Sequence, residues 1–377
     1  MNILFCHLTA GYNIFGGVER SIINLALELS RQEHRIVLYT GRNTIPSLDG
    51  PTYKSISFVK AEYLNIPTYC DNFDDTLRRL LISNAGAIVR ELNELFFDGK
   101  FDAIIAVDQL WGVIPFLNRN SLNTKAKFVM YYHMSHSNMD INRSIAFGFD
   151  HYLAVSDFVA SSISRVFPSM NGKIEILPNC ISDKNVQLKP IQQRKPFIFC
   201  NARMSPEKGV HEAVQAFKEV SEIIPLNLKL CGGDFHFGSN APVLEEIRQF
   251  IDRNPNISRR IDIEPRLTWK EADALSAEAS MVLVASKEES FGLAALEAMN
   301  VRTPIVSTRA GNLGSLLDGV AIFSEDSSPA NLAEAISRCF RSIQDGSIEG
   351  RLETGLRCAR KFQASTVASD LIKALSN

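Results

Sequence analysis

Glu289-Ser290-Phe291-Gly292-Leu293-Ala294-Ala295-Leu296-Glu297-Ala298-Met299 follows closely on the apolar run Met281–Ser286. A short continuous apolar run, a brief polar loop and an alanine- and leucine-rich segment of helical spacing make one strand-to-helix step of a parallel α/β sheet. A helix that starts there offers unpaired backbone N–H groups and the positive end of its dipole to an anion. Gly292 lets the backbone approach that anion closely. Glu297 is the odd residue of the helix, because Leu293, Ala294, Ala295, Leu296, Ala298 and Met299 surround it with apolar groups. A buried carboxylate needs a donor, which a ribose diol would supply; the plainer reading is a solvated surface carboxylate. Glu289 is read in the same two ways, as a ligand group or as a loop carboxylate.

The same step repeats in both directions along the chain. Apolar runs at Ile3–Leu8, Arg35–Thr40, Ala103–Asp108, Lys127–His133, Tyr152–Ser156 and Ile174–Pro178 predict strands, with helices at Val18–Ser30, Asp74–Phe97 and Asp157–Phe167. The polar stretch Ser182–Pro196, with two prolines, three lysines, an arginine and three glutamines, has the composition of a linker. Beyond it strands are expected at Phe197–Asn201, Leu226–Cys231, Ile261–Glu264, Met281–Ser286, Thr303–Ser307 and Val320–Phe323. Helices at Val210–Ile224, Val243–Arg253, Trp269–Ala279, Leu293–Asn300 and Pro329–Arg341 separate them. The expected fold class is therefore α/β, with two Rossmann-like doubly wound parallel-sheet domains facing a central cleft. Their expected bounds are 1–185 and 186–355, with a C-terminal helix from about Leu356 to Leu375 in the remaining segment 356–377. In such sheets ligands bind beyond the carboxyl ends of the strands, so functional residues should follow the runs.

Two further segments meet that condition. Asn201-Ala202-Arg203-Met204-Ser205-Pro206-Glu207-Lys208-Gly209-Val210 joins the first strand and first helix of the second half. Arg203 and Lys208 would neutralise a diphosphate leaving group where charge develops, although Ser205-Pro206-Glu207-Lys208 is also a good helix start. Gly11-Tyr12-Asn13-Ile14-Phe15-Gly16-Gly17-Val18-Glu19-Arg20 follows the first strand, and its glycines do not fit G-x-G-x-x-G, which argues against a dehydrogenase. His133 ends a strand, with His136 close behind, and is a candidate for the cleft beside its structural alternative. Asp108 is a weaker candidate for binding an acceptor.

Composition narrows the classes. The 377 residues are 45% hydrophobic and 22% charged, with a formal net charge of -2, which describes an ordinary two-domain protein and no nucleic-acid binder. Seven scattered cysteines without C-x-x-C spacing read as reduced core thiols. The start, Met1-Asn2-Ile3-Leu4-Phe5-Cys6, carries no basic leader, and no stretch approaches the ~20 apolar residues that span a bilayer. The expected location is the cytoplasm, with contact at the inner face of the membrane left open. Asp74-Asp75 and Asp262-Ile263-Glu264 are poor hard-oxygen sites, so no metal or other cofactor is expected.

Taken together these motifs resemble the retaining glycosyltransferases of family 4, which have the GT-B fold, and the resemblance implies that the C-terminal helix within 356–377 packs back on the first domain. The family's E-x7-E signature is matched by Glu289 and Glu297, followed by Thr303-Pro304-Ile305-Val306 where the family has a similar strand. The resemblance implies that Glu289 contacts the donor sugar and Glu297 the ribose. The amides of Phe291, Gly292 and Leu293, beside Ser290, would contact the phosphates and sugar. Arg203 and Lys208 match the family's R-x-x-x-E-K-G element at the diphosphate, Gly16-Gly17-Val18-Glu19-Arg20 its G-G-x-E-R element, and His133 its cleft histidine. Pro178-Asn179-Cys180-Ile181 looks like the family's Pro-Asn-Gly-Val with Cys180 for glycine, and Gly314 stands where the family commonly has a glutamate. The implied reaction moves a sugar from a UDP- or GDP-type nucleoside-diphosphate sugar to a hydroxyl of an acceptor glycan, lipid-linked glycan or small molecule, in glycoconjugate synthesis. The alternatives are a non-catalytic sugar-nucleotide-binding protein and a nucleotide-sugar epimerase of related fold.

Overall fold

The computed structural model describes residues 1–9, 16–41, 55–65, 73–108, 114, 117–122, 124–134, 138–182, 189–232, 240–265 and 267–376. The chain divides into two compact units, residues 1–183 with 362–377, and residues 184–361. Sequence reading places the changes at 185/186 and 355/356. The second one moves because the expected helix from about Leu356 to Leu375 is two helices, Glu349–Ala359 and Ala364–Ser376, separated by a short turn at Arg360–Phe362.

The first unit contains β1 (Asn2–Cys6), β2 (Arg35–Gly41), β3 (Ile56–Ala61), β4 (Ala103–Val107), β5 (Lys127–Tyr132), β6 (His151–Ala154) and β7 (Ile174–Ile176). They form one sheet in the order β3-β2-β1-β4-β5-β6-β7. Every pairing is parallel, and Leu4 of β1 lies opposite Val37 on one side and Ile104 on the other. Strands covered on both faces have no polar side to show, which is why β1, β4 and β5 are nearly continuous apolar runs. The helix Gly17–Arg31 carries the chain from β1 to β2 and buries Ile22, Leu25, Ala26 and Leu29. The helix Ala364–Ser376 packs against it, and is fixed at its start by Ala364 N donating to Ile181 O at 2.9 Å.

The second unit repeats the plan with β8 (Lys195–Asn201), β9 (Asn227–Cys231), β10 (Ile261–Glu264), β11 (Ala279–Val284), β12 (Ile305–Ser307) and β13 (Ile322–Phe323). Their order is β10-β9-β8-β11-β12-β13, again all parallel. The order of each sheet reverses once, between β1 and β4 in the first and between β8 and β11 in the second. Connections leave to opposite faces at such a point and open a crevice at the strands' carboxyl ends. The core of the second unit joins Ile198, Phe217, Leu228, Ile247, Met281, Leu332 and Ile336, with the helix Val210–Val220 packed on the helix Pro329–Gln344. Six cysteines are described as free thiols, five of them buried.

Arg194 anchors the segment that enters the second sheet. It is 9% exposed. Its guanidinium donates to the carbonyls of Val301 (2.7 Å), Arg302 (2.9 Å) and Lys189 (3.4 Å), and to the Thr303 hydroxyl. Burial and the neighbouring Arg302 lower its pKa to about 10, which leaves it charged at neutral pH. Arg194→Met keeps the apolar stem and strands those carbonyls, so a loss of about 3 kcal/mol is expected, read as an earlier urea midpoint with an unchanged slope. A loss below about 0.5 kcal/mol would mean that water replaces the guanidinium.

Candidate functional site

The loops after β8 and β11, at the switch point of the second sheet, interlock. Lys287 N and Glu288 N donate to the Glu207 carbonyl at 2.8 and 3.4 Å. Gly209, with φ +64°, sits so close to Ala285 that a Cβ there would lie 2.1 Å from the Ala285 carbonyl oxygen. This contact brings Lys208 Nζ to 2.8 Å from Glu289 Oε2, with the two side chains 19% and 18% exposed. The Ser286 hydroxyl donates to the same oxygen at 3.4 Å. Arg203 lies further out, 52% exposed, with Nη2 3.1 Å from Glu207 Oε1. Burial pushes the Glu207 carboxyl up, but the Ser205 hydroxyl, its own backbone, Arg203 and Lys208 outweigh this and hold it below its ordinary range. One cation is thus held in place and one is exposed, both beside carboxylates, and a diphosphate is an anion to which both can turn.

Gly292 starts the helix Leu293–Asn300 in a left-handed conformation, φ +107° and ψ 46°. Ala295, Leu296, Ala298 and Met299 are buried, whereas Leu293, Glu297 and Asn300 share a half-buried face. Glu297 is half-buried, between the buried ligand carboxylate and the solvated surface residue that its apolar neighbours left open. The helix itself has the bounds read from the sequence, and its first N–H groups follow Gly292 directly.

In the first unit the residues after β1 form a second cluster. Glu19 folds back over Gly16, with its Oε2 1.7 Å from where a Cβ would stand. Glu19 Oε1 accepts from the Thr9 hydroxyl at 2.8 Å and lies 3.6 Å from His7 Nε2. Burial raises the Glu19 carboxyl, but His7 and Thr9 more than offset it and its pKa is lowered. Gly17, next in the chain, is exposed. His133 is buried, and its amide donates to Asp108 Oδ1 at 2.7 Å while Nδ1 stays 3.9 Å from Asp108 Oδ2. Within the described residues neither ring nitrogen has a hydrogen-bond partner. Burial brings its pKa down to about 4 against the opposing pull of Asp108, so the ring is neutral at physiological pH. Asp108 has φ +51° and is fully buried, which suits it to holding the end of β5 rather than to meeting an acceptor directly.

The sequence reads His7 as a core residue or one that supports the site from behind, but it does not mark Thr9 as a partner of Glu19 or Ser286 as a partner of Glu289. Each is a common residue at a strand end, without a spacing that marks it. The candidates Gly11–Phe15 and His136 lie outside the described residues. Among those described, no group of three or more His, Cys, Asp or Glu is placed to hold a metal ion. Asp262 and Glu264 are engaged by Lys229, at 3.4 and 2.9 Å. No helix among the described residues is long and apolar enough to cross a membrane.

Two family models match the chain, Glycosyltransferase Family 4 over residues 15–185 and Glycosyl transferases group 1 over residues 182–342. A similar sequence is the alpha-1,3/1,6-mannosyltransferase ALG2 of Saccharomyces cerevisiae, 24% identical over 96% of this chain and 81% of that protein. Among solved structures, the sucrose-phosphate synthase of Thermosynechococcus elongatus superposes with a TM-score of 0.78 at 16% identity, covering 100% of this chain and 98% of that one. Anabaena HepE in complex with UDP and glucose gives a TM-score of 0.71 at 17% identity, covering 100% and 99%. Both structural likenesses are of fold, two parallel-sheet α/β domains of the GT-B type.

Proposed function

Since this chain belongs to the glycosyltransferases of family 4, with matches that together run from residue 15 to residue 342, we propose that it moves a sugar from a nucleoside-diphosphate sugar to an acceptor hydroxyl, with retention at the anomeric carbon and without a metal ion. The observation that carries this reading is the meeting of Lys208 and Glu289 at 2.8 Å, at the point where the order of the second sheet reverses. Arg203 turns from Glu207 to the diphosphate, and Lys208 meets it from its place beside Glu289. The first N–H groups of the helix after Gly292 complete the anion site, Glu289 takes the sugar hydroxyls and Glu297 the ribose. Gly16, Gly17 and His133 are assigned to the sugar and acceptor side of the reaction.

In the proposed step the bond from the anomeric carbon to the leaving phosphate breaks, and its electron pair stays on the phosphate oxygen. The acceptor oxygen bonds to the same face of the carbon, and its proton passes to that phosphate oxygen. No protein nucleophile is needed, and preorganised charge around the leaving group does most of the work. The similarity to a mannosyltransferase and to a UDP-bound structure makes GDP- and UDP-sugars the first donors to try, with a glycan or lipid-linked glycan as acceptor at the cytoplasmic face of a membrane. A thermal-shift screen with UDP, GDP, ADP and their sugars ranks the donors, because a ligand of the native state raises the melting temperature. The reading requires release of nucleoside diphosphate from the donor that depends on an acceptor. Tight binding without release under any acceptor points to a binding protein instead.

Glu297→Gln is expected to weaken nucleotide binding about tenfold, as for loss of a charged hydrogen bond, with the melting temperature little changed because the side chain is only half-buried. Calorimetric titration with the preferred nucleotide decides it; wild-type affinity in the variant would return Glu297 to a surface role.

A further inference from the structure

We infer that Asn312 is a positioning residue for the donor loop, a clamp that holds both ends of the segment Glu289–Phe291. The inference rests on the transferase reading above and concerns a residue in the loop after β12. Asn312 N donates to the Glu289 carbonyl at 3.0 Å, and Asn312 Nδ2 donates to the Phe291 carbonyl at 2.9 Å. One residue thus fixes the main chain of the proposed sugar ligand and the last residue before the helix-starting Gly292. A carbonyl with a directed donor has one preferred orientation, and the peptide planes that carry the Glu289 side chain and the helix start inherit it.

The neighbouring residues are built for this contact. Gly311, with φ +53°, precedes Asn312 and lies so near the donor loop that a Cβ would be 2.0 Å from the Glu289 carbonyl oxygen. The Thr308 hydroxyl donates to the Ser286 carbonyl, so the same short loop also holds the segment where it leaves β11. On the far side Asn312 O accepts from Leu316 N at 2.9 Å, which ties the clamp to the turn whose Leu313 and Leu316 pack beside Gly292. Gly314 carries no such contact: a Cβ there would meet only Arg309, at 3.5 Å or more. In this chain the loop is anchored by a neutral amide, two residues before the position where the similar family pattern has a carboxylate. The amide is the chemically suitable group, because it donates to a carbonyl where an aspartate of the same shape would turn an oxygen toward it.

The test uses the full chain and the variants Asn312→Ala and Asn312→Asp, the second nearly isosteric should the first fold poorly. Without ligand, hydrogen exchange at the amides of residues 289–296 should be about tenfold faster in both variants, with melting temperatures near wild type. Affinity is then measured for UDP, UDP-glucose, GDP and GDP-mannose. The ratio of sugar-nucleotide affinity to free-nucleotide affinity should fall about tenfold, because losing the side-chain bond to the Phe291 carbonyl frees one end of the segment that carries Glu289, which is assigned to the sugar alone. Unchanged exchange overturns the clamp, and faster exchange with an unchanged ratio overturns its role toward the donor. A wild-type protein that binds none of the four probes, nor ADP or ADP-glucose, overturns the transferase reading itself. One that binds them, with variants that keep its ratio, overturns the inference about Asn312 alone.

Discussion

Lys208→Ala is expected to lower turnover by about 10²-fold or more, as for loss of a preorganised group that stabilises developing charge, while excess EDTA leaves the wild-type rate unchanged. Bond cleavage leaves the nucleoside diphosphate with an additional negative charge, which must be met within the site. Lys208 is placed for this before the donor arrives, because the Gly209 contact and the two amides bonded to the Glu207 carbonyl set its backbone and Glu289 holds its ammonium at 2.8 Å. A group already in position costs little reorganisation as charge develops, and that is why its removal is felt in turnover more than in ground-state binding. Arg203, 52% exposed and held by Glu207, has more freedom to lose. Its alanine variant should also be depressed, with a larger share of the effect appearing as weaker donor affinity. Lys208→Arg keeps the charge on a differently shaped head and should recover part of the lost rate. Initial rates at saturating donor with and without EDTA decide the matter. Activity abolished by EDTA and restored by magnesium, with Lys208→Ala near wild type, would place the compensating charge on a metal ion.

Much of this architecture could be read from the sequence because parallel strands covered on both faces are plain apolar runs. Ile261–Glu264 and Leu293–Asn300 have the bounds that their apolar pattern predicts. β3 escapes such a reading because it is an edge strand: Ser57 and Lys60 face solvent and dilute the apolar signal of Ile56 and Ala61. Asp74–Phe97 reads as one helix, yet Asn84 leaves helical geometry, with φ −109° and ψ 11°, and divides it into Phe73–Ser83 and Ala85–Gly99. Asn is tolerated inside helices and favoured at their ends, so its residue type alone does not decide. The helix Asn138–Phe147 is hidden for a related reason, since its buried residues include Asp140 and Ser144 beside Ile141 and Phe147. At the candidate site, Arg203, Lys208 and Glu289 stand out because charges at strand ends and helix starts are chemically conspicuous, and Glu297 because it interrupts an apolar helix. Partners that act through distant backbone leave no such mark. Asn312 touches carbonyls, and every residue has a carbonyl.

Gly209→Ala is the structural counterpart of the Lys208 experiment, and it is expected to cost about 2–4 kcal/mol and to abolish measurable donor binding. Two effects combine at this position. An alanine in the left-handed region costs about 1–2 kcal/mol wherever it stands. At Gly209 the new methyl would also lie 2.1 Å from the Ala285 oxygen and 2.9 Å from its carbon, both main-chain atoms that cannot rotate away. The loop after β11 must therefore move, and it carries Ser286, Lys287 and Glu289 with it. Gly346 separates the two effects within the same unit, because it has φ +78° and no atom within 4 Å of the place a methyl group would take. Gly346→Ala should show the backbone cost alone, with a melting temperature only a few degrees lower and donor affinity intact. Gly209→Ala should melt about 5–10 °C lower and lose the nucleotide-induced thermal shift. Equal melting temperatures and equal nucleotide shifts in the two variants would mean that the β8 and β11 loops adjust independently, and that their close contact does not set the distance between Lys208 and Glu289.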